Sequence, residues 1–462
     1  MTTKVENGLF IFRRDLRIID NNGLNLLSTM AKNIYTIFIF TPEQVGSGNK
    51  YKSDNCVQFM IESLEDLSSQ ISKAGGHLYT FYAHNDAVIE DCIKAWNINL
   101  VCYNMDITPY AKERDEKIVK LCERLKTYVV YAHDYYLHQP GTIVNGSGDP
   151  YQKFTPYYHA ALKKKVDAPA GKRTIHFKKS EKQIPNKVSL DSAMKKFVGK
   201  ENPDILVHGG RENAIKVLKT ALRTQTHYSK THNELDKQTT QLSAYIKFGC
   251  LSIREVYKFL HGKRDIIRQL IWRDFYASIL YSFPHVLGHA MKEKYNKIHW
   301  HHNSNWFKAW CNGETGYPVV DAGMRQLNAT GYMHNRARLI VASFLTKTLL
   351  ISWKEGEEYF ASKLTDYDPA SNNGNWQWVA STGADSQPYF RIFNPFMQQE
   401  EYDPECEYIK KWVPELADLE PKIIHKWETE WVNYKDIKYN KPIVDYKKQK
   451  DLALKMFGAA FK

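Results

Sequence analysis

The sequence predicts an α/β unit with a Rossmann-like parallel sheet at its amino end and an all-helical unit at its carboxyl end, joined by a long linker. Three observations carry this. Residues 1–134 alternate short apolar runs, rich in β-branched and aromatic residues, with stretches of helical periodicity. Residues 135–202 are dense in Lys, Pro, Gly and Ser, as in QPGTIVNGSGDP and KKKVDAPAGKR, which reads as a surface connection. Across 203–462 the strand pattern gives way to amphipathic helices.

The strands are expected at 8–12, 34–41, 77–82, 100–104 and 128–131, all short and bounded by polar turns. Between them, 56–74 and 110–125 repeat apolar residues at helical spacing, and Gly75-Gly76 stops the first of these. Strands alternating with helices imply a parallel sheet covered on both faces. The turn after the first strand reads FRRDLRIIDN and has no G-x-G-x-x-G, so the sheet lacks the dinucleotide phosphate loop. Further on, helices are expected at 212–223, 252–260, 264–280, 319–329 and 336–353, and the Lys-rich tail after 434 is expected to end shortly past the last of the apolar helices.

At 462 residues the chain is too long for one ordinary core. A hydrophobic fraction of 43% and a charged fraction of 25% exclude bulk disorder. Lys plus Arg exceed Asp plus Glu by 64 − 51 = 13, a cationic surplus suited to a polyanion such as nucleic acid. The seven cysteines are scattered and form no C-x-x-C pair, so reduced thiols are expected and neither a disulfide framework nor a zinc site. No run approaches the roughly 18 apolar residues of a membrane span. The start, MTTKVENGLFIFRRDLR, lacks the layout of a secretion signal, so a soluble intracellular protein is expected, in cytoplasm or nucleus.

Several constellations carry chemistry. Thr239, Thr240, Gln241, Leu242 and Ser243 place hydroxyls and an amide ahead of an apolar helix, where they either cap it or bind phosphate. Asp366 and Asp368 flank Tyr367 in a turn-rich stretch with Asn372 and Asn373. If buried, these acids need a cation, and Arg336 and Arg338 are candidates. Trp376 and Trp378, about 200° apart on a helix, send their indoles to opposite sides. Gln269, Trp272 and Arg273 share a helix face, either as core with a snorkelling Arg or as a surface that stacks on a base and grips a phosphate. No metal-ligand spacing or nucleophile–His–acid pattern accompanies them, so any difficult chemistry falls to a cofactor.

In order, FRRDLRIIDN, TTQLSAYIKFGCLSIREVY, QLIWRDFY, TGYPVVDAGMRQLNATGYMHNRAR and NNGNWQWVASTGADSQPYFRIFNP resemble the photolyase/cryptochrome flavoprotein family along almost the whole chain, most of all its class I type cyclobutane pyrimidine dimer photolyases. The resemblance implies a helical domain holding FAD in a bent conformation. It also implies light-driven repair, in which reduced FAD donates an electron to a flipped-out pyrimidine dimer in DNA and recovers it, a lyase reaction without net redox change. By position, Tyr228 and residues 239–243 would bind the phosphates and ribityl chain. Arg273, Arg338, Asp366, Tyr367 and Asp368 would surround the rings, and Asn372 would lie near flavin N5. Trp376, Trp353 and Trp300 would form the electron-transfer chain. Gln269, Trp272, Arg273, Asn335, Arg336, Trp378 and Gln398 would meet the DNA.

Three positions depart from that family's pattern. Gln269 stands where dimer-specific photolyases usually carry Glu. Such a Gln resembles the (6-4) photolyases, but the His pair of that branch is missing from the strip Asn335 to Leu339. Near Tyr228 a commonly Arg position reads His232 or Thr231. The residues that hold a folate antenna in some relatives are absent from NMDITPYAKERD, so an antenna chromophore of folate or deazaflavin type stays open. The expectation is a monomeric, membrane-free repair lyase for dimer-containing DNA. The alternatives are a cryptochrome-type blue-light receptor and, ranked lower, a (6-4) photolyase.

Overall fold

The computed structural model describes residues 4–171 and 173–461, so Met1 to Thr3 of the opening stretch lie outside the described residues. Five parallel strands, β1 (Val5–Phe12), β2 (Ala31–Phe40), β3 (Leu78–Tyr82), β4 (Leu100–Asn104) and β5 (Tyr128–Ala132), form one sheet in the order β3-β2-β1-β4-β5. All five expected strands are present, and β1 and β2 start three residues earlier than the apolar pattern. Leu9 and Ile11 pack on one face of β1 and Phe10 and Phe12 on the other, all buried. That accounts for apolar runs without polar alternation. Helices Asn22–Met30, Asp54–Lys73, Asn85–Trp96 and Pro109–Arg124 connect the strands. Ser53 and Thr108 cap two of them by accepting from the backbone N–H of Cys56 and Ala111. The strand order reverses beside β1, which opens a crevice at the carboxyl ends of the strands.

Residues 135–202 are more than a surface connection. They carry helices Phe154–Leu162 and Leu190–Phe197, and Phe154, Tyr157 and Ala161 are buried. Their i, i+3, i+7 spacing is an apolar stripe that the surrounding Pro, Gly and Lys disguise. Phe177 pairs alongside Ile34 and Lys187 alongside Phe81, so the segment lies against the sheet.

The second half is helical, with Arg264–Ser282, Pro318–Thr330, Asn335–Lys347, Trp353–Lys363 and Pro369–Val379 at its centre. The helix expected over 336–353 is two helices. Leu350 adopts a φ of 59°, His301 N–H donates to the Leu350 carbonyl at 2.7 Å, and Ser352 caps a new helix that begins at Trp353. The tail also differs from expectation: Tyr446–Phe461 is a helix whose Ala453 and Phe457 are buried against Ile298 and Leu350. A buried ion network joins the two halves. Arg17 meets Asp134 at 2.6 Å, and Arg254, on helix Ile253–Phe259, meets Asp134 at 2.7 Å and Asp20 at 3.1 Å. Among the described residues no helix is long and apolar enough to cross a membrane.

Candidate active site

A cavity of about 460 Å³ opens among the central helices, a size typical of cofactor and ligand sites. Its floor is helix Pro369–Val379, which bears out the helical placement of Trp376 and Trp378 and begins inside the stretch that the sequence presents as turn-rich. Asp368 is its N-cap, accepting from Ser371 N–H at 3.0 Å, and Pro369 sits at the first helical position, so the Asn-Gly-rich segment starts as a well-capped helix. Asn372, Trp376 and Trp378 all line the cavity. Trp376 is buried edge-on against Phe360, with ring centroids 4.9 Å apart, while Trp378 is half-buried, so the two indoles have different surroundings as their angular separation requires.

The acids find two different cations. Arg338 binds Asp366 through both carboxylate oxygens, at 3.3 and 3.0 Å. Arg336, the other candidate, instead donates to Asn233 Oδ1 at 2.7 Å and lies over the Tyr402 ring. The cation for Asp368 is Arg14, 3.1 Å away, from the turn after β1. Burial alone would raise the Asp368 carboxyl, but Arg14, Arg273 and Lys247 hold it well below the usual carboxylate range.

Asn372 donates one amide N–H to the Glu357 carbonyl at 3.1 Å, which leaves Oδ1 and the second N–H to offer the cavity. Next to it, Asn373 donates to the Glu357 carboxylate at 3.1 Å, and burial pushes that carboxyl up to about 7. Arg273 donates one N–H to the Tyr135 carbonyl at 2.5 Å and keeps a buried Nη2 without a hydrogen-bond partner. Such a group has a cost unless an acceptor reaches it. In the segment 239–243, Thr240, Leu242 and Ser243 line the cavity, and helix Ser243–Lys247 has no side-chain cap, so the hydroxyls are not caps. Thr239 is engaged by the Tyr332 hydroxyl at 3.1 Å and Gln241 by Gln238 at 2.8 Å, which takes both away from the wall. Tyr228 and Tyr367 complete it.

Gln269, Trp272 and Asn335 line the same cavity, with Gln269 exposed. Arg336 and Gln398 lie outside its wall. Trp353 is buried at the start of its helix, one turn before Gly356, on which Trp376 rests. The pairing of His301 with Ile351 brings neighbouring Trp300 to the same end, where it meets Phe457 edge-on at 5.7 Å. Sequence reasoning missed Arg14, Lys247 and Tyr276. Arg14 lay within a quoted motif, but nothing local in FRRDLR tells that its partner is more than 350 residues away.

A second cavity of about 210 Å³ lies at the carboxyl ends of β1 and β2 and shares Lys247 and Tyr367 with the first. Arg114 lines it with a side chain 10% exposed and a buried Nη2 that has no hydrogen-bond partner.

Behind the main cavity, Asp274 accepts from the His138 backbone N–H at 2.9 Å, and burial raises its carboxyl to about 7. Between the ordinary carboxylate value of about 4 and that raised value, the folded state holds a proton that the unfolded chain has lost, so this group lowers stability as pH rises. An Asp274→Asn variant keeps the acceptor oxygen and should gain melting temperature on the wild type between about pH 5 and pH 8. A constant offset across that range would contradict the assignment.

Fold and site define a two-part protein, a parallel α/β unit joined to a helical one, with a deep aromatic and charged cavity shaped for a large cofactor. Residues 9–173 match the family model of DNA photolyase, and residues 266–459 match that of the FAD binding domain of DNA photolyase. The deoxyribodipyrimidine photo-lyase of Halobacterium salinarum is 33% identical over 481 residues, covering 98% of this chain and 99% of the relative. That of Alkalihalophilus pseudofirmus is 34% identical over 467 residues, covering 96% of each. Among solved structures, the archaeal photolyase of Sulfolobus tokodaii, described with two FAD molecules, superposes with a TM-score of 0.88 at 38% identity, over 98% of this chain and 100% of that one. The Synechocystis cryptochrome superposes with a TM-score of 0.88 at 25% identity, over 99% and 100%. The chain belongs to the DNA photolyase family. The cavity fits FAD on its own terms: uncapped hydroxyls at Thr240 and Ser243, the unpartnered Nη2 of Arg273 and the Arg338–Asp366 pair are the donors and acceptors that a dinucleotide with a heterocycle at each end requires.

Proposed function

We propose that this protein is a light-driven DNA repair lyase that splits cyclobutane pyrimidine dimers. One observation carries this reading. A single cavity has flavin-type partners on its inner wall and two indoles, Trp272 and Trp378, with the exposed amide of Gln269 beside them. When bound and fully reduced, FAD supplies on illumination the electron that opens the cyclobutane ring and takes it back afterwards.

The chain's residues bind, orient and shield. Tyr228, Thr240, Leu242 and Ser243 would line the phosphate and ribityl end. Thr239 and Gln241, engaged elsewhere, would support that loop without direct contact. Arg273, Arg338, Asp366, Tyr367 and Asp368 would fix the rings, and Asn372 Oδ1 would accept a hydrogen bond near flavin N5. Trp272 and Trp378 would flank the extruded dimer, which unstacks more cheaply than an ordinary base pair. Gln269 and Asn335 would bond to its polar edge, as an amide both donates and accepts. Arg336 and Gln398 would meet the flanking backbone. Trp376, Trp353 and Trp300, linked through Gly356 and the 301–351 pairing, would carry electrons inward from the surface. We take the unit boundaries near 134 and 202 and the active species as a monomer.

The test is to illuminate the reduced protein with oligonucleotides carrying either a cyclobutane dimer or a (6-4) product. Light-dependent recovery of the first alone is expected, and recovery of neither moves the protein to the photoreceptors. A Trp353→Phe variant should lose photoreduction of oxidised flavin and keep repair by chemically pre-reduced protein. Loss of both would remove Trp353 from the electron route.

The second cavity is the proposed seat of a light-harvesting chromophore. The FAD pair in the Sulfolobus tokodaii relative supports this, as does Arg114, whose free Nη2 suits an anionic or carbonyl group on a flat ring system. A visible absorption band in the purified protein beyond those of one flavin per chain is the expected sign, and its absence from freshly isolated material counts against a resident second pigment.

A further inference from the structure

Trp272 is not a free-standing plate. Phe154, from the connecting segment, lies parallel to it at a centroid distance of 3.6 Å and an interplanar angle of 7°. Arg268 lies 5.4 Å from the Phe154 ring centre. Phe275 meets both rings edge-on, at 5.8 Å from Phe154 and 5.6 Å from Trp272. With one face covered, the indole has only its other face and its edge for a ligand, and its rotation is restricted. Phe154 itself is 1% exposed, so it cannot touch an extruded base.

The connecting segment that carries Phe154 is fixed to the supports of both indoles. On the Trp272 side, the Tyr157 hydroxyl lies 3.2 Å from Ser278 Oγ, and Asp274 holds the His138 backbone N–H. On the Trp378 side, the Asp385 backbone N–H donates to the Gln152 carbonyl at 3.0 Å, and Lys153 lies 3.7 Å from the Asp385 carboxylate, just beyond helix Pro369–Val379. The start of helix Phe154–Leu162 therefore bridges the two walls between which a flat guest would enter.

We infer that Phe154 is a positioning residue for damage recognition: by backing Trp272 it sets the plane and spacing of the slot, so discrimination between damaged and undamaged DNA depends on this ring in the connecting segment. The inference rests on the reading of Trp272 as a lesion-facing plate. Base–aromatic stacking favours a lesion only when the plate is held in position, so a Trp272 that has lost its backing ring should lose affinity for the lesion and little for ordinary duplex, which is held by phosphate contacts.

The test uses the FAD-loaded full chain in darkness. Dissociation constants are measured by fluorescence anisotropy for a labelled duplex with one cyclobutane dimer and for the same duplex undamaged. Phe154→Leu should weaken lesion binding about tenfold and undamaged binding less than about twofold. Phe154→Tyr, which keeps the ring, should restore the ratio. If F154L fails to retain flavin, Phe154→Met serves in its place. An unchanged ratio in the ring-less variant overturns the inference, and so does an equal loss for both duplexes, because that is what a merely structural role predicts. Trp272→Ala separates the two levels. Discrimination that survives W272A overturns the lesion-plate reading and the inference with it. Discrimination lost in W272A but kept in F154L overturns the inference alone.

Discussion

Replacing Arg14 by methionine is expected to lower stability by about 3–5 kcal/mol and to abolish retention of FAD, because it removes one partner of a buried pair and leaves the other charged. The guanidinium lies 3.1 Å from Asp368 and 3.6 Å from Asp106, with all three side chains largely hidden from water. Methionine fills the volume and satisfies neither acid. Asp368 also caps the helix that presents Asn372, Trp376 and Trp378, so a shift toward a better-solvated position unseats the cavity floor. The pH dependence gives a second check. Because the Asp368 carboxyl is held below its ordinary value, its contribution is fully present above about pH 4 and disappears as pH falls through the lower folded value. The gap between wild type and R14M in chemical denaturation should therefore be widest near neutrality and close below about pH 4. A gap independent of pH would show that lost packing, rather than the stranded carboxylate, is the cause.

Gly356→Ala is the second large effect, and here two terms compete. Alanine in a helix interior is favoured over glycine by about 1 kcal/mol. At this position, however, an added Cβ would stand 2.2 Å from Trp376 Cη2, 2.5 Å from Cζ3 and 2.7 Å from Leu345 Cδ2. The indole cannot retreat into the helix packing, since Phe360 and Trp310 stand against it at 4.9 and 6.2 Å, and only its cavity side is open. Overpacking of this kind costs about 1–3 kcal/mol or more, so the steric term wins. Trp376 is then pushed toward the cavity it lines. The expected result is a lower melting temperature together with reduced flavin content and altered flavin absorbance. A G356A protein as stable and as yellow as the wild type would show that the two helices separate more easily than the contact implies.

The sheet was legible because the centres of β1 to β4 are buried on both faces, so each appears as a short run rich in β-branched and aromatic residues between turn residues. The cavity residues were legible as types and less so as partners. Asp366 and Arg338 sit on neighbouring elements and could be paired from the sequence, whereas the Arg14–Asp368 pair spans both halves of the chain and has no local trace. Breaks were hidden for the same reason. The stretch 336–353 keeps helical periodicity, and the break after Lys347 goes with the positive φ of Leu350 and the long-range pairing of His301 with Leu350 and Ile351. Phe154 was lost in a segment dominated by Lys, Gly and Pro, where composition outweighed a three-residue apolar stripe. The helix 446–461 escaped notice because its apolar face packs on Ile298 and Leu350, residues far from it in sequence.

The Arg17–Asp134–Arg254–Asp20 network limits how this architecture can be taken apart. Asp20 and Asp134 are completely enclosed and each depends on a guanidinium from across the chain. A fragment made of either half would start with stranded charges, and a chimera that exchanged one half for that of a relative would need to carry matching acids and bases across the junction. The sheet-bearing half and the helical half are thus tied by electrostatics into a single unit of inheritance.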